Sequence, residues 1–321
     1  MDISVIIPLL NEEKNITILY DELIAALTPL ERKFEIIFID DGSTDGSFTL
    51  LKQIQQGDSR VIVIRLRKNF GQTAALAAGF DQACGDIIVT LDADLQNDPA
   101  DIPLLLDKLE EGYDLVNGWR ADRKDPFINR RLPSIIANRI ISFTTNVKLH
   151  DYGCTLKAIR KEVIKNMQLY GEMHRFIPAI ASGMGVSIAE VKVNHRARRF
   201  GVSKYGISRT IRVVLDLITV KFLLSYSTRP IQIFGLLGFI SGTIGMGVSI
   251  YLIIQRQFYN IPLGNRPLLL LAILLIFIGL QFVSLGLMAE LQARTYHESQ
   301  NKQIYSVKQI LKGMHSQNIR H

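Results

Sequence analysis

An α/β fold with a mostly parallel sheet, followed by two membrane-spanning helices, is what this sequence predicts, and three observations predict it. Strand-like and helix-like stretches alternate through the first two hundred residues, as in sheets whose strands are joined by helical crossovers. The strand candidates are apolar throughout rather than alternating, so both faces of the sheet are expected to be covered. Further on stand two uncharged stretches, Ile231 to Ile254 of 24 residues and Leu268 to Ala289 of 22. Each exceeds the ~20 residues that a bilayer-crossing helix needs.

The elements follow in order. ISVIIP, from Ile3 to Pro8, is the first strand, and helical spacing runs from Glu12 to Leu27. EIIFI, from Glu35 to Ile39, is the second strand, and it stops at Asp40-Asp41-Gly42-Ser43. A helix over 47–56, a strand over 61–66, a helix over 72–83 and a strand over 87–91 complete the alternation. That last strand lies in IIVTLDADLQND, which ends in Asp92, Asp94 and Asp98 with Gln96 between them. Unpaired charge is costly inside a core, so these carboxylates belong to a solvated turn or to a cation site.

Open parallel sheets bind ligands beyond the carboxyl ends of their strands, and Asn11-Glu12, Asp40-Asp41 and Asp92-Asp94 all fall at such ends. An Asp-x-Asp pair can share a hard cation. Mg²⁺ is usually held by one or two carboxylates, with substrate phosphates supplying further oxygens. A diphosphate ligand is therefore expected. Arg120, Arg123, Arg130, Arg131 and the basic run over 196–204 are the candidate counter-charges. Asp45 reads as a cap of the helix that follows it and Asp98 as a turn or cap residue next to Pro99, and His150, His174 and His195 are assigned no ligand role.

The 321 residues carry a net charge of +7, unevenly spread. From His195 to Arg212 there are six Lys or Arg and no acid, a composition suited to an anionic leaflet. No nucleic-acid partner is expected so close to membrane segments. The stretch after Ala289 has five Lys or Arg against two Glu, whereas the loop from Gln255 to Arg266 has only two Arg. An inner-membrane protein with two spans is expected, its catalytic domain and both termini cytoplasmic and its start not a secretory signal. Residues 132–147 and 207–224 read as interfacial amphipathic helices in contact with membrane lipids. The expected divisions are 1–205, 206–229, 230–290 and a cytoplasmic tail over 291–321. Gly238-x-x-x-Gly242 allows close helix contact, within the chain or between copies of a homo-oligomer. Cys84 and Cys154 read as buried free thiols of a reducing compartment. No Gly-x-Gly-x-x-Gly or Gly-Lys-Ser/Thr loop follows the first strand, which disfavours dinucleotide dehydrogenases and P-loop enzymes.

SVIIPLLNEEKNI, IIFIDDGSTDGS, RKNFGQTAALAAGF and GDIIVTLDADLQNDP, in this order, closely resemble family 2 glycosyltransferases of GT-A fold over residues 1 to 205. DADLQ, DYGCTLKA, RFGVSKY and the two spans resemble the polyprenyl-phosphate branch, relatives of dolichyl-phosphate mannose synthases and most closely bactoprenol glucosyltransferases. The resemblance implies an inverting transfer of a hexose from a nucleotide diphosphate to polyprenyl phosphate. UDP-glucose is the implied donor, with GDP-mannose as the alternative. It implies that Pro8, Asn11, Glu12, Asp40, Asp41 and Asp92 border the nucleotide sugar. Asp92, Asp94 and Gln96 would hold Mg²⁺ or Mn²⁺, and Arg120, Arg131, Arg199 and Lys204 would hold phosphates. Asp94, Arg120 and Asp151 are the catalytic candidates, Asp151 either as base or as an orienting group. Leu10 stands where many relatives have an aromatic residue. A processive polysaccharide synthase would want more spans and a Gln-x-x-Arg-Trp motif, whereas the single tryptophan is Trp119. A reading from another class is a membrane-tethered nucleotide-sugar sensor without catalysis.

Overall fold

The computed structural model describes residues 1–121, 149–200 apart from 168, 170–172 and 198, then 231–259, 261–262, 267–299 and 304–313. They belong to two units, Met1–Val220 with Gln303–His321, and Lys221–Lys302.

In the first unit, β1 (Ile3–Leu9), β2 (Phe34–Asp40), β3 (Val61–Leu66) and β4 (Ile87–Thr90) are parallel, in the spatial order β3-β2-β1-β4. α1 (Glu13–Leu27), α2 (Ser47–Gly57) and α3 (Gln72–Gln82) connect them. All seven residues of β1 and of β2 are buried, as their unbroken apolar character requires. Strand side chains alternate between faces, and the two faces meet different helices. Ile3, Val5 and Ile7 share one cluster with Ile16, Leu19 and Leu23 of α1. Ile6 faces the other way, toward Gly79 of α3, where a β-carbon would lie 2.5 Å from its side chain.

Beyond β4 the chain forms α4 (Ile102–Glu110), β5 (Leu115–Trp119), β6 (Lys157–Arg160), α5 (Lys161–Lys165), α6 (Ile177–Gly183) and β7 (Ile188–Lys192). β6 lies antiparallel between β4 and β5, and β7 lies parallel to β5. β8 (Val307–Leu311) closes the opposite edge, antiparallel to β3, and the order is β7-β5-β6-β4-β1-β2-β3-β8. β8 stands inside the stretch read from sequence as a tail. Its five residues, three of them exposed, are too few and too polar to announce a strand. They are recruited because β3 offers unpaired backbone groups, and the Tyr305 hydroxyl, donating to Asp81 at 2.6 Å, anchors the approach.

The second unit contains α7 (Ile231–Tyr259) and α8 (Pro267–Ser299). Phe234–Tyr259 and Pro267–Ala289 are each long and apolar enough to cross a membrane. Their backbones touch. A β-carbon on Gly238 would lie 2.6 Å from the Gly279 carbonyl oxygen, and one on Gly245 would lie 2.8 Å from that of Ala272. The glycine stripe of the first span is thus spent on the second span, as small residues at membrane helix contacts allow. The segments 132–147 and 207–224 lie outside the described residues. One thiol departs from expectation: Cys154 is buried but Cys84 is exposed, because it follows the end of α3 in a turn held by its N–H on Glu35.

Gly42, in the turn after β2, has φ +80°, and a β-carbon there would meet the Lys68 carbonyl carbon at 2.7 Å. Gly42→Ala is expected to lose about 1–3 kcal/mol of stability. Gly57→Ala, in open space at the end of α2, should be neutral or gain up to about 1 kcal/mol. Denaturant melts of the two variants check the contrast.

Candidate active site

β1 is paired with β2 on one side and β4 on the other. The strand order therefore reverses there, which opens a crevice at their carboxyl ends. A cleft of about 210 Å³ lies at this place, lined by Pro8, Leu10, Glu12, Asp41, Asp92 and Asp94 among others. Five of the expected site residues are in its wall. Leu10 is there too and presents an aliphatic side chain to the cleft.

Asn11 and Asp40 serve the cleft from behind. Asn11 sits at φ +55°, donates its N–H to Ser43 Oγ at 2.9 Å and accepts the Thr44 N–H at 2.8 Å. Asp40 is fully buried, accepts the Ser43 N–H at 2.7 Å and lies 3.4 Å from Arg65 Nε. Together they lock the first two strand tips. Asp41 accepts the N–H groups of Phe70 and Gly71 at 2.7 and 2.9 Å, which draws the loop carrying Asn69 and Gly71 into the cleft wall. Burial pushes the Asp41 carboxyl up despite those bonds. Asp45 accepts the Ser47 N–H at 3.0 Å at the start of α2, the capping role expected of it.

At the end of β4, Asp94 Oδ1 accepts the Gln96 N–H at 3.1 Å around Leu95, whose φ is +60°. A leucine in the left-handed region stores strain, the mark of a conformation imposed by its surroundings. The Gln96 carbonyl accepts the Arg196 N–H at 2.8 Å. Asp92 takes a hydrogen bond from Gln72 Nε2 at 2.7 Å. Burial first, and then the charge of Asp94, push the Asp92 carboxyl up to about 7, against the opposing pull of Thr155, Arg120 and Lys157. Among the described residues no group of three His, Cys, Asp or Glu could hold a metal ion by itself. Two hard carboxylates fit Mg²⁺ or Mn²⁺ only as part of a shell that other oxygens complete.

Arg120 follows β5 and meets Asp151 side on: Nε to Oδ2 at 2.7 Å and Nη2 to Oδ1 at 3.1 Å. Asp151 is 1% exposed. Its N–H and that of His150 donate to the Glu190 carboxylate at 3.0 to 3.1 Å, and its carbonyl accepts Asn117 Nδ2 at 2.8 Å. Trp119 stacks on His150 with centroids 4.2 Å apart, a second rung beside the ion pair. Arg196, part of the expected phosphate-binding run, is instead structural. Its guanidinium holds Glu22 at 2.7 Å and Asp98 at 2.6 Å. Asp98 also accepts the Ala100 N–H, as a cap. Arg199 is exposed, and Arg123, Arg130, Arg131 and Lys204 lie outside the described residues.

Gln72, Thr155 and Lys157, all grouped around Asp92, were not singled out from sequence. Gln72 and Lys157 stand in two of the motifs, NFGQT and DYGCTLKA, but an amide, a hydroxyl or a lone lysine has no spacing that reveals a carboxylate partner 20, 63 or 65 residues away. Only the β4–β6 pairing brings Lys157 opposite Thr90.

Residues 4–167 match the glycosyl transferase family 2. The chain is 43% identical to the dodecaprenyl-phosphate galacturonate synthase of Rhizobium johnstonii, over 97% of this chain and 93% of that one. It is 39% identical to the undecaprenyl-phosphate 4-deoxy-4-formamido-L-arabinose transferase of Shewanella sediminis, again over 97% and 93%. Among solved structures, glucosyl-3-phosphoglycerate synthase from Mycobacterium tuberculosis, in complex with Mn²⁺, UDP and phosphoglyceric acid, superposes with a TM-score of 0.54. It is 22% identical and covers 70% of this chain and 78% of that one. That likeness is one of fold, and it bears out the GT-A architecture.

The raised Asp92 pKa has a signed consequence. Without a cation, the folded protein keeps a proton on Asp92 up to about pH 7, whereas the unfolded chain releases it near 3.8. This group's contribution is therefore full below the lower value and lost as pH rises through the upper one. The unfolding free energy of Asp92→Asn minus that of the wild type, in chelator, should grow between about pH 4 and pH 7, the interval between those two pKa values, and level off above it. A difference that stays flat with pH would contradict this.

Proposed function

The chain belongs to glycosyl transferase family 2, and from that premise we propose that it is a polyprenyl-phosphate glycosyltransferase. It would take a sugar from a nucleotide diphosphate donor and pass it to a polyprenyl phosphate in the membrane. The observation that carries this is one chain holding both a two-carboxylate strand end in an open cleft and two helices long enough to cross a bilayer. Relatives that match it over 97% of its length bear the names of polyprenyl-phosphate sugar transfer.

The residues divide the work. Pro8, Leu10, Glu12 and Asp41 border the cleft where nucleoside and donor sugar would lie. Asp92 and Asp94, with Gln96 beside them, would hold Mg²⁺ or Mn²⁺ against the donor diphosphate, and the bound ion would supply charge stabilisation of the leaving group. Arg120 brings a fixed guanidinium whose Nη1 lies outside the pair with Asp151, a donor for a phosphate oxygen. Arg131, Arg199 and Lys204 are proposed to add to that set. The acceptor phosphate, with a second pKa of about 6, is largely ionised at neutral pH and needs little help from a base. Both Asp151 oxygens are engaged by Arg120, so Asp151 is assigned the orienting role.

β8, which follows the helix pair in the chain, is paired with β3, which precedes it, and this supports an even number of membrane crossings between them. With the basic run over 196–212, this supports an inner-membrane protein whose sheet unit and termini are cytoplasmic.

Label transfer to lipid decides the function. The full-length protein is incubated with Mg²⁺ or Mn²⁺, undecaprenyl phosphate and labelled donors. These are UDP-glucose, which the sequence resemblance implies, GDP-mannose, and the nucleotide-activated galacturonate and formamido-arabinose suggested by the relatives' names. Label is expected in the lipid fraction with one of them, and Asp94→Ala should reduce its rate by about 10²–10³-fold. Donor binding without lipid label for every sugar would identify a sensor instead.

A further inference from the structure

Lys157 begins β6 and is 2% exposed. Burying an ammonium group carries an effective penalty of several kcal/mol, and a purely packing role would be met by methionine without it. Among the described residues no carboxylate forms an ion pair with it. Its Nζ instead donates to the carbonyls of Cys154 and, at 3.5 Å, Tyr152. Burial lowers its pKa to about 8, and the charges of Asp151 and Asp92 oppose that fall.

Those carbonyls belong to the middle of the 151–155 loop, and both ends of that loop carry site residues. Asp151 at one end holds Arg120. Thr155 at the other end lines the same pocket as Asp92, with its own carbonyl held by the Thr90 hydroxyl at 2.6 Å and its hydroxyl by Asn97 Nδ2 at 2.8 Å. Lys157 is itself in register with Thr90 on β4 and Asn117 on β5, the strands that lead to Asp92 and Arg120.

We propose that Lys157 is a positioning residue of the transfer site, an internal cation that holds the 151–155 loop by its carbonyls and so fixes Asp92 and the Arg120–Asp151 pair in one geometry. The proposal rests on the reading of this cleft as a transferase site. The side chain would act through the loop and would not touch the substrate.

Trp119 is the only tryptophan in the sequence, and its stack on His150 lies next to the Arg120–Asp151 pair, so its emission reports that pair directly. Lys157→Met keeps the length of the side chain without charge or donors, and Lys157→Gln keeps one donor. The full-length variants are compared for cooperative melting, Trp119 emission, kcat and KM. Lys157→Met is expected to melt cooperatively, to shift the Trp119 emission, and to lower kcat by about 10- to 10²-fold, the scale of a misplaced catalytic group. The donor KM should stay within about threefold, and Lys157→Gln should recover part of kcat. Combined with Asp151→Asn, the losses should be less than additive. An unchanged emission with kcat within about twofold of wild type, or losses fully additive with Asp151→Asn, would overturn the proposal. So would the loss of cooperative melting in both Lys157 variants, which would make the residue a requirement of the fold. Should the wild type transfer no sugar to lipid, the transferase reading fails instead, and Trp119 emission alone then decides whether Lys157 sets the loop.

Discussion

Like charge brought together at the end of a buried strand is the constraint on which the rest of this structure depends. β4 delivers Asp92 and Asp94 from a core in which its neighbours Val89 and Leu91 are fully buried. Burial and the neighbouring charge of Asp94 both disfavour the ionised form of Asp92. The surroundings answer part of that cost: Gln72 donates to Asp92, and Arg120 and Lys157 pull against its raised pKa. They do not cancel it, since the carboxyl still stands near 7. A site balanced in this way favours a divalent cation brought with a diphosphate, and in the proposed reaction that imbalance becomes donor binding.

The fold places this strand end where it can be used. The reversal of strand order between β2-β1 and β1-β4 opens the cleft. The tight contacts of Gly42 with the Lys68 backbone and of Asp41 with the 70–71 amides close its far wall. The helix pair answers a different physical demand. A polyprenyl chain leaves the bilayer only at ~0.8 kcal/mol per buried CH₂, so an enzyme acting on its headgroup gains by being anchored. Backbone contact through Gly238, Gly245 and Gly279 packs together two helices that are each long and apolar enough to cross a membrane.

Much of this was legible in the sequence because it is carried by local pattern. Unbroken apolar runs such as SVIIP and EIIFI specify buried parallel strands, and their abrupt polar ends specify where a ligand sits. Asp92, Asp94, Asp41 and Glu12 were found this way, and all lie at the cleft. What sequence could not show is long-range partnership. Arg196 looks like a phosphate ligand in a basic run, yet Glu22 and Asp98 claim it. Asp40 looks equivalent to Asp41, but one residue of strand periodicity turns it toward Ser43 and Arg65 and away from the cleft. β8 is invisible because its reason for being a strand, the open edge of β3, lies some 240 residues earlier.

In the proposed site, cation and nucleotide binding are linked at the end of β4. The direct measurement is Mn²⁺ affinity, followed by its electron paramagnetic resonance signal, for the full-length protein with and without UDP. If Asp92 and Asp94 form an incomplete shell that a diphosphate completes, UDP will tighten Mn²⁺ binding, and Mn²⁺ will tighten UDP binding by the same factor. Equal Mn²⁺ affinity with and without UDP would contradict the account, as would Mn²⁺ binding that survives Asp94→Ala unchanged.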